Sequence, residues 1–147
     1  MIRHDLDHWP LVLSVADGSM SFEEHLAFLS DWTGWLERGE PFATLRIFSD
    51  LDSLHRPEGG AKEAKAWLQA NGDSIRHLVV GMATVVPAQA LDEVSKMNAE
   101  KLFGVPARSF DNATEAAKWL MPLMQAKGIA VDPDDIMQDL HALRQSS

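Results

Sequence analysis

The sequence predicts an α/β fold in which strands are joined by crossover helices. Three observations lead there. Apolar runs of strand length alternate with segments of helix length and helical periodicity. Two of those helical segments open on a capping-box pattern, Ser21 with Glu24 and Asn112 with Glu115. The chain has 147 residues, 46% hydrophobic and 24% charged, which suits one globular domain and excludes a disordered one.

Each element follows from local chemistry. Ile2 to His8 alternates weakly and reads as a short edge strand, and Trp9-Pro10 breaks the ladder before the stronger strand Leu11 to Ala16, which closes at Asp17-Gly18. The helix that Ser21 opens runs to about Glu37, where Gly39 and Pro41 stop it. Ala43 to Ser49 is the next strand. A polar loop, DLDSLHRPEGG, leads to a helix from about Pro57 to Ala70, with Asn71-Gly72 as its C-terminal cap. Ile75 to Met82 reads as an apolar strand, Pro87 starts a helix to about Phe103, and Val105 to Phe110 is the last strand. Asn112 opens a helix through Leu120. Pro122 predicts a break near Met121, because proline removes a helical hydrogen bond. Asp132 and Pro133 then start a tail helix whose Ile136, Met137, Leu140 and Leu143 share one face. The organisation expected is an α/β domain over residues 1–120 and a C-terminal helical extension over 121–147, packed on the same domain.

The runs WPLVLSVADGSMSFEEH, ATLRIFSD and IRHLVVGMA, with the stretch from Phe110 to Leu120 inside FGVPARSFDNATEAAKWL, resemble the SpoIIAA-like group of small bacterial proteins. That group is related in fold to STAS domains and to the SEC14 lipid-binding fold, and the resemblance covers roughly residues 9 to 120. It implies a single mixed, mostly parallel sheet of four to five strands, and it carries no established catalytic activity. The chain departs from the STAS phosphoswitch motif, Asp-Ser-x-Gly, because Asp52-Ser53 is followed by Leu54 and His55. Turn chemistry is the preferred reading of Asp50, Asp52 and Ser53, whose side chains bond their own backbone.

Charge narrows the function. Lys and Arg total 13 against 22 Asp and Glu, for a net charge of −9. Residues 1–60 hold 4 basic and 11 acidic side chains, so that part stands at −7 and the rest at −2. No basic run exists to displace counterions from nucleic acid or to hold an anionic membrane. The chain has no cysteine, so disulfides, thiolate metal sites and cysteine nucleophiles are excluded. MIRHDLDHWP has no apolar segment of a signal peptide and no stretch reaches the ~18 residues of a spanning helix, so a cytoplasmic location is expected.

No motif names a reaction. G-x-S-x-G, P-loop and G-x-G-x-x-G patterns are all missing, and Gly59-Gly60 reads as loop flexibility. His4, His8, Asp5 and Asp7 cannot converge locally, since on a strand positions 4 and 8 face away from 5 and 7; no metal site, cofactor or catalytic residue is assigned. His25 and His77 read as hydrogen-bonded, half-buried side chains, the latter inside a strand. His55 shares a loop with Asp50 and Asp52 at a strand's carboxyl end, where open α/β sheets receive ligands. Those three residues and Met82 form the candidate ligand site.

Tryptophan is the unusual feature, at positions 9, 32, 35, 67 and 119 in a chain without tyrosine. On the first long helix Phe22, Leu26, Leu29 and Leu36 form the expected core stripe, with Trp32 at its flank and Phe28 and Trp35 further round. So wide an arc predicts an interaction surface of Phe28, Trp32 and Trp35, met by the tail, a second subunit or a ligand. The tail is expected on that flank. Two functional classes stay open: a non-catalytic binding or regulatory module for a small apolar or lipid-like ligand, and a homodimeric interaction module using the aromatic helix face. A small enzyme with its site at the strand carboxyl ends is the third reading.

Overall fold

Leu11–Ala16 is buried at every position, which requires cover on both faces of its sheet. The computed structural model, which describes residues 1–145, supplies that cover. Strands β1 (Ile2–Asp5), β2 (Leu11–Ala16), β3 (Phe42–Phe48), β4 (Val79–Val85) and β5 (Ala107–Phe110) lie side by side in chain order. β1 pairs antiparallel with β2 and every other pair is parallel. The fold is therefore α/β, on one mixed and mostly parallel sheet.

Helices α1 (Phe22–Glu37) and α2 (Gly60–Leu78) cover one face, where Trp32, Trp35, Leu36 and Ile75 pack on Val12, Phe42 and Met82. Helices α5 (Ala113–Gln125) and α6 (Pro133–Gln145) cover the other, where Ala116, Leu120, Met124, Ile136 and Leu140 pack on Leu11, Leu13, Val15, Leu45 and Ile47. Between β4 and β5 run two short helices, α3 (Leu91–Ser95) and α4 (Ala99–Phe103). Gly81 admits α5 to the sheet, since a Cβ there would stand 3.0 Å from both Leu120 Cδ1 and Leu123 Cδ1. No described helix is long and apolar enough to cross a membrane.

Several expected boundaries move, each for a local reason. α2 does not end at Asn71-Gly72: Asn71 Nδ2 donates to the Trp67 carbonyl at 2.9 Å and the helix continues to Leu78. Ile75 to Leu78 is thus its last turn, β4 starts only at Val79, and His77 is an exposed helical residue with Nδ1 2.7 Å from the Asp73 carbonyl. α2 also starts at Gly60 instead of Pro57. Gly59 before it has φ +83°, a left-handed conformation that favours glycine, so its role exceeds flexibility. The expected helix from Pro87 is split at Asn98, which takes a left-handed φ of 46° and caps the Lys101 N–H with its side chain.

Pro122 leaves α5 unbroken to Gln125, so a boundary at residue 120 falls inside a helix. The carbonyl that proline strands is that of Lys118, an exposed residue, and water can take it. The tail corrects a larger expectation. α6 packs on β1, β2 and α5, on the face of the sheet opposite α1. It cannot cover the aromatic flank, because the apolar surface it fills is that of Leu11, Leu13 and Val15.

Candidate functional site

The register of the five strands places one polar residue from each in a single row. His4 lies opposite Ser14, Ser14 opposite Arg46, Arg46 opposite Thr84, and Thr84 opposite Ser109. Side chains alternate along a strand, so this row and Val12, Thr44 and Met82 two residues nearer the amino ends of the parallel strands share the face under α1 and α2. That face is apolar in its lower half and polar toward the carboxyl ends.

His4 anchors one end. Its Nδ1 lies 2.6 Å from Ser14 Oγ, its ring stacks on Phe28 at 5.7 Å and meets Trp35 edge-on at 4.9 Å. Nε2 faces Asp31 at 3.5 Å without a hydrogen bond. Burial lowers the imidazole pKa and the Arg46 charge adds to that, against the opposing pull of Asp31. His4 is therefore neutral at pH 7. Below its ordinary value of about 6.5 the unfolded chain binds a proton that the native state refuses, so this contribution is complete above about pH 6.5 and is lost as pH falls through the native value. Urea midpoints measured from about pH 7.5 to about pH 5 should fall with acid, and His4→Gln should flatten that slope. An unchanged slope would show that His4 is free to protonate.

Arg46 occupies the centre. Its Nη2 donates to Thr84 Oγ1 at 3.4 Å, and its Nε is enclosed with no acceptor. Among the described residues no carboxylate pairs with it. Burial and the like charge of Arg56 lower its pKa to about 10, so it remains a cation at pH 7. Thr44, 1% exposed on the same strand and face, also has a hydroxyl with no partner. Unpaired polar atoms inside a protein cost free energy, and a charged one costs most.

Ser14, His4 and Asp31 are the residue types of an acyl-transfer triad, but their arrangement is not one. Ser14 is 1% exposed in mid-strand, between β1 and β3, so no substrate carbonyl can reach its Oγ. The pair instead satisfies two buried polar groups.

The loop after β3 holds three of the residues singled out from the sequence. Asp50 is a brace: its carboxylate accepts the Gly18 N–H at 3.0 Å and the Ser53 N–H at 2.8 Å, which ties the β2–α1 turn to this loop. Those backbone bonds hold its carboxyl below the usual range. Ser53 is 6% exposed and donates its hydroxyl to the Asp50 carbonyl at 2.6 Å, so turn chemistry accounts for it. Asp52 and His55 are exposed on the same loop. Met82 is not with them: it is 3% exposed in the apolar cluster with Val12, Phe42 and Val79.

The proposed aromatic surface is largely internal. Trp32 and Trp35 are 4% and 5% exposed, whereas Leu26 is 40% exposed and Leu29 half-buried. The helix is rolled relative to the expected stripe, so that His25, Phe28, Trp32, Trp35 and Leu36 face inward. His25 fits there because its Nε2 bonds the Gly60 carbonyl at 3.0 Å. Phe28, half-buried, packs on His4.

Sequence reasoning missed two groupings. The polar row needs strand register, although a Ser inside LVLSVA and an Arg inside ATLRIFS are already anomalous in doubly covered strands. Asp139 of α6 joins Asp5 and Asp7, with one oxygen from each within 4.8 Å of the others, and His8 Nε2 lies 2.5 Å from Asp139. Asp7 is exposed and Asp5 and Asp139 are half-buried, and acids brought together in this way are ordinary on a chain of net charge −9.

No protein-family model, curated protein or solved structure matches the chain.

Proposed function

We propose that the chain is a non-catalytic binding module of SpoIIAA-like type, whose small ligand is received by the polar row at the carboxyl half of the α1/α2 face. One observation carries this reading: Arg46 stands half-buried in the central strand of the sheet, its Nε enclosed and without a partner, and among the described residues no carboxylate pairs with it. A protein that needed Arg46 only for packing would gain by pairing or replacing it. The order of strands and helices is in keeping with the resemblance. A wholly apolar ligand finds less support, because Trp32, Trp35, Phe42 and Trp67 fill the apolar half of this face against one another. The inward roll of Trp32 and Trp35 also removes the feature on which a homodimeric aromatic surface rested.

Arg46→Met tests the reading. In protein stripped of ligand the variant should melt above the parent, because an unpaired charge is replaced by a chain that packs. Native mass spectrometry of protein taken from its own host should show a small molecule retained by the parent and lost by the variant. A variant destabilised as much as a core cavity, with the same mass spectrum, would make Arg46 a structural residue and end the proposal.

A further inference from the structure

We infer that the β5 edge of the sheet is an interaction surface for a second copy of this chain, the two β5 strands pairing antiparallel about a two-fold axis at Ser109. This contact stands apart from whatever the polar row binds and from the aromatic face of α1. Register fixes which backbone groups are available. The Met82 and Val86 N–H groups donate to the Pro106 and Phe110 carbonyls at 2.9 and 2.8 Å. Backbone groups alternate sides along a strand, so those of Arg108 and Phe110 face β4, while those of Ala107 and Ser109 face away from the sheet. The Ala107 N–H is capped by Glu100 Oε1 at 3.3 Å, which agrees with that direction. β5 ends the sheet, so among the described residues no strand lies beyond Ser109. Ser109 lines a cavity of about 500 Å³ whose apolar wall is Leu91, Phe110 and Trp119. An edge strand open in this way is a template for pairing with another chain.

Charge selects both the edge and its occupant. On a chain of net charge −9, a two-fold contact must avoid setting acid against acid. The opposite edge strand, β1, carries Asp5, with Asp7 and Asp139 offering oxygens within 4.8 Å of it and of each other, and a second copy there would double the cluster. The β5 cavity instead holds Arg108 and Lys118 with Asp111 and Glu115, a balanced set that meets its own image without net repulsion. Antiparallel pairing centred on Ser109 lets that residue exchange both backbone hydrogen bonds with its counterpart, and it sets Arg108 opposite Phe110 of the second copy. Arg108 Cζ already lies 5.3 Å from the centroid of its own Phe110 ring, so the same cation–π contact is in reach across the strands. Met97 and Leu102, 66% and 55% exposed, are the most exposed large apolar side chains among those described, and they stand on the segment from α3 to α4 whose helices pack on β5. Open edge, cavity and uncovered apolar surface thus share one side of the molecule. Pairing there makes one continuous sheet, in which the polar rows of the two copies join at Ser109.

Analytical ultracentrifugation of the full chain, from about 1 to about 100 µM, reads the association. The parent should pass from monomer to dimer across that range. Ser109→Pro removes the outward N–H, which no group of β4 accepts, and proline is tolerated on an edge strand. This variant should melt like the parent at the dilute end and stay monomeric at the concentrated end. Arg108→Glu changes an exposed side chain and sets an acid over the Phe110 ring of the second copy, so it should dimerise about tenfold more weakly. A parent that is monomeric throughout, or a folded Ser109→Pro variant that dimerises as the parent does, would overturn the inference. Where Ser109→Pro does not fold, Arg108→Glu decides: weaker association supports the β5 contact, and association equal to the parent's rejects it.

Discussion

Trp32→Ala is expected to cost ~3–5 kcal/mol of folding stability, the largest loss of any substitution on α1. Trp32 is 4% exposed, and its ring centroid lies 5.3 Å from that of Trp35, 5.8 Å from Phe42 and 6.1 Å from Trp67. It therefore joins α1 to β3 and to α2 at once. Each aromatic pair adds about 0.5–1.5 kcal/mol beyond the area it buries, so truncation loses several pairs and leaves a void between two helices and the sheet. The control is Leu26→Ala, at a side chain 40% exposed, where a change within about 0.5 kcal/mol is expected. Urea unfolding of the two variants decides the matter. Comparable losses, or a larger one for Leu26, would mean that Phe22, Leu26 and Leu29 face the sheet and that the helix is rolled the other way.

That roll shows what the sequence can and cannot specify. Apolar residues spread so far around α1 that periodicity alone fits two orientations, one led by Leu26 and Leu29 and one led by Trp32 and Trp35. The choice turns on His25, which the sequence reads as hydrogen-bonded and half-buried without naming its partner: it is 5% exposed, and its Nε2 donates to the Gly60 carbonyl of another helix. A hydrogen bond between α1 and α2 is invisible before the fold is known. Elements with strictly local causes were legible: Leu11–Ala16 has the bounds that its apolar run predicts, and Ser21 caps the Glu24 N–H at 3.1 Å as its spacing requires. Asn71-Gly72 misleads because cap chemistry is permissive. Asparagine can bond a carbonyl one turn back and let the helix pass, as it does at Trp67.

The candidate site was legible only in its loop. Asp50, Asp52 and His55 are adjacent in sequence, and their position after a strand is local information. His4, Ser14, Arg46 and Thr84 come from four strands, and only the pairing register makes them neighbours. Arg46 could still have been singled out from its own segment. A charge between Leu45 and Ile47, both 2% exposed or less, sits where a parallel strand is enclosed on both faces, and such a charge needs a partner or a ligand.

The double variant Ile136→Ala/Leu140→Ala should bring the protein close to the limit of its stability while leaving the α1 tryptophans undisturbed. Ile136 is 0% exposed and Leu140 1%, both packed with Leu11, Leu13 and Val15 on the face opposite α1. Each truncation is expected to cost ~2–5 kcal/mol, and a domain of this size is commonly stable by only about 5–15 kcal/mol. A helix of 13 residues does not hold its shape alone in water, so its docking and its folding are one event. Among the described residues, polar ties from Arg3 Nε to the Leu143 carbonyl at 3.0 Å and between His8 and Asp139 at 2.5 Å would remain. Neither replaces the apolar contact, since part-exposed pairs contribute little. Tryptophan emission separates this arrangement from one in which the tail covers the first helix. The folded fraction of the double variant should emit at the parent wavelength, because Trp32 and Trp35 are screened from α6 by the whole sheet. Trp119 packs on the same cluster as α6, so parent and variant both carry Trp119→Phe; a red shift in that folded background would place α6 against α1, and full retention of stability would show that the β2 surface needs no cover.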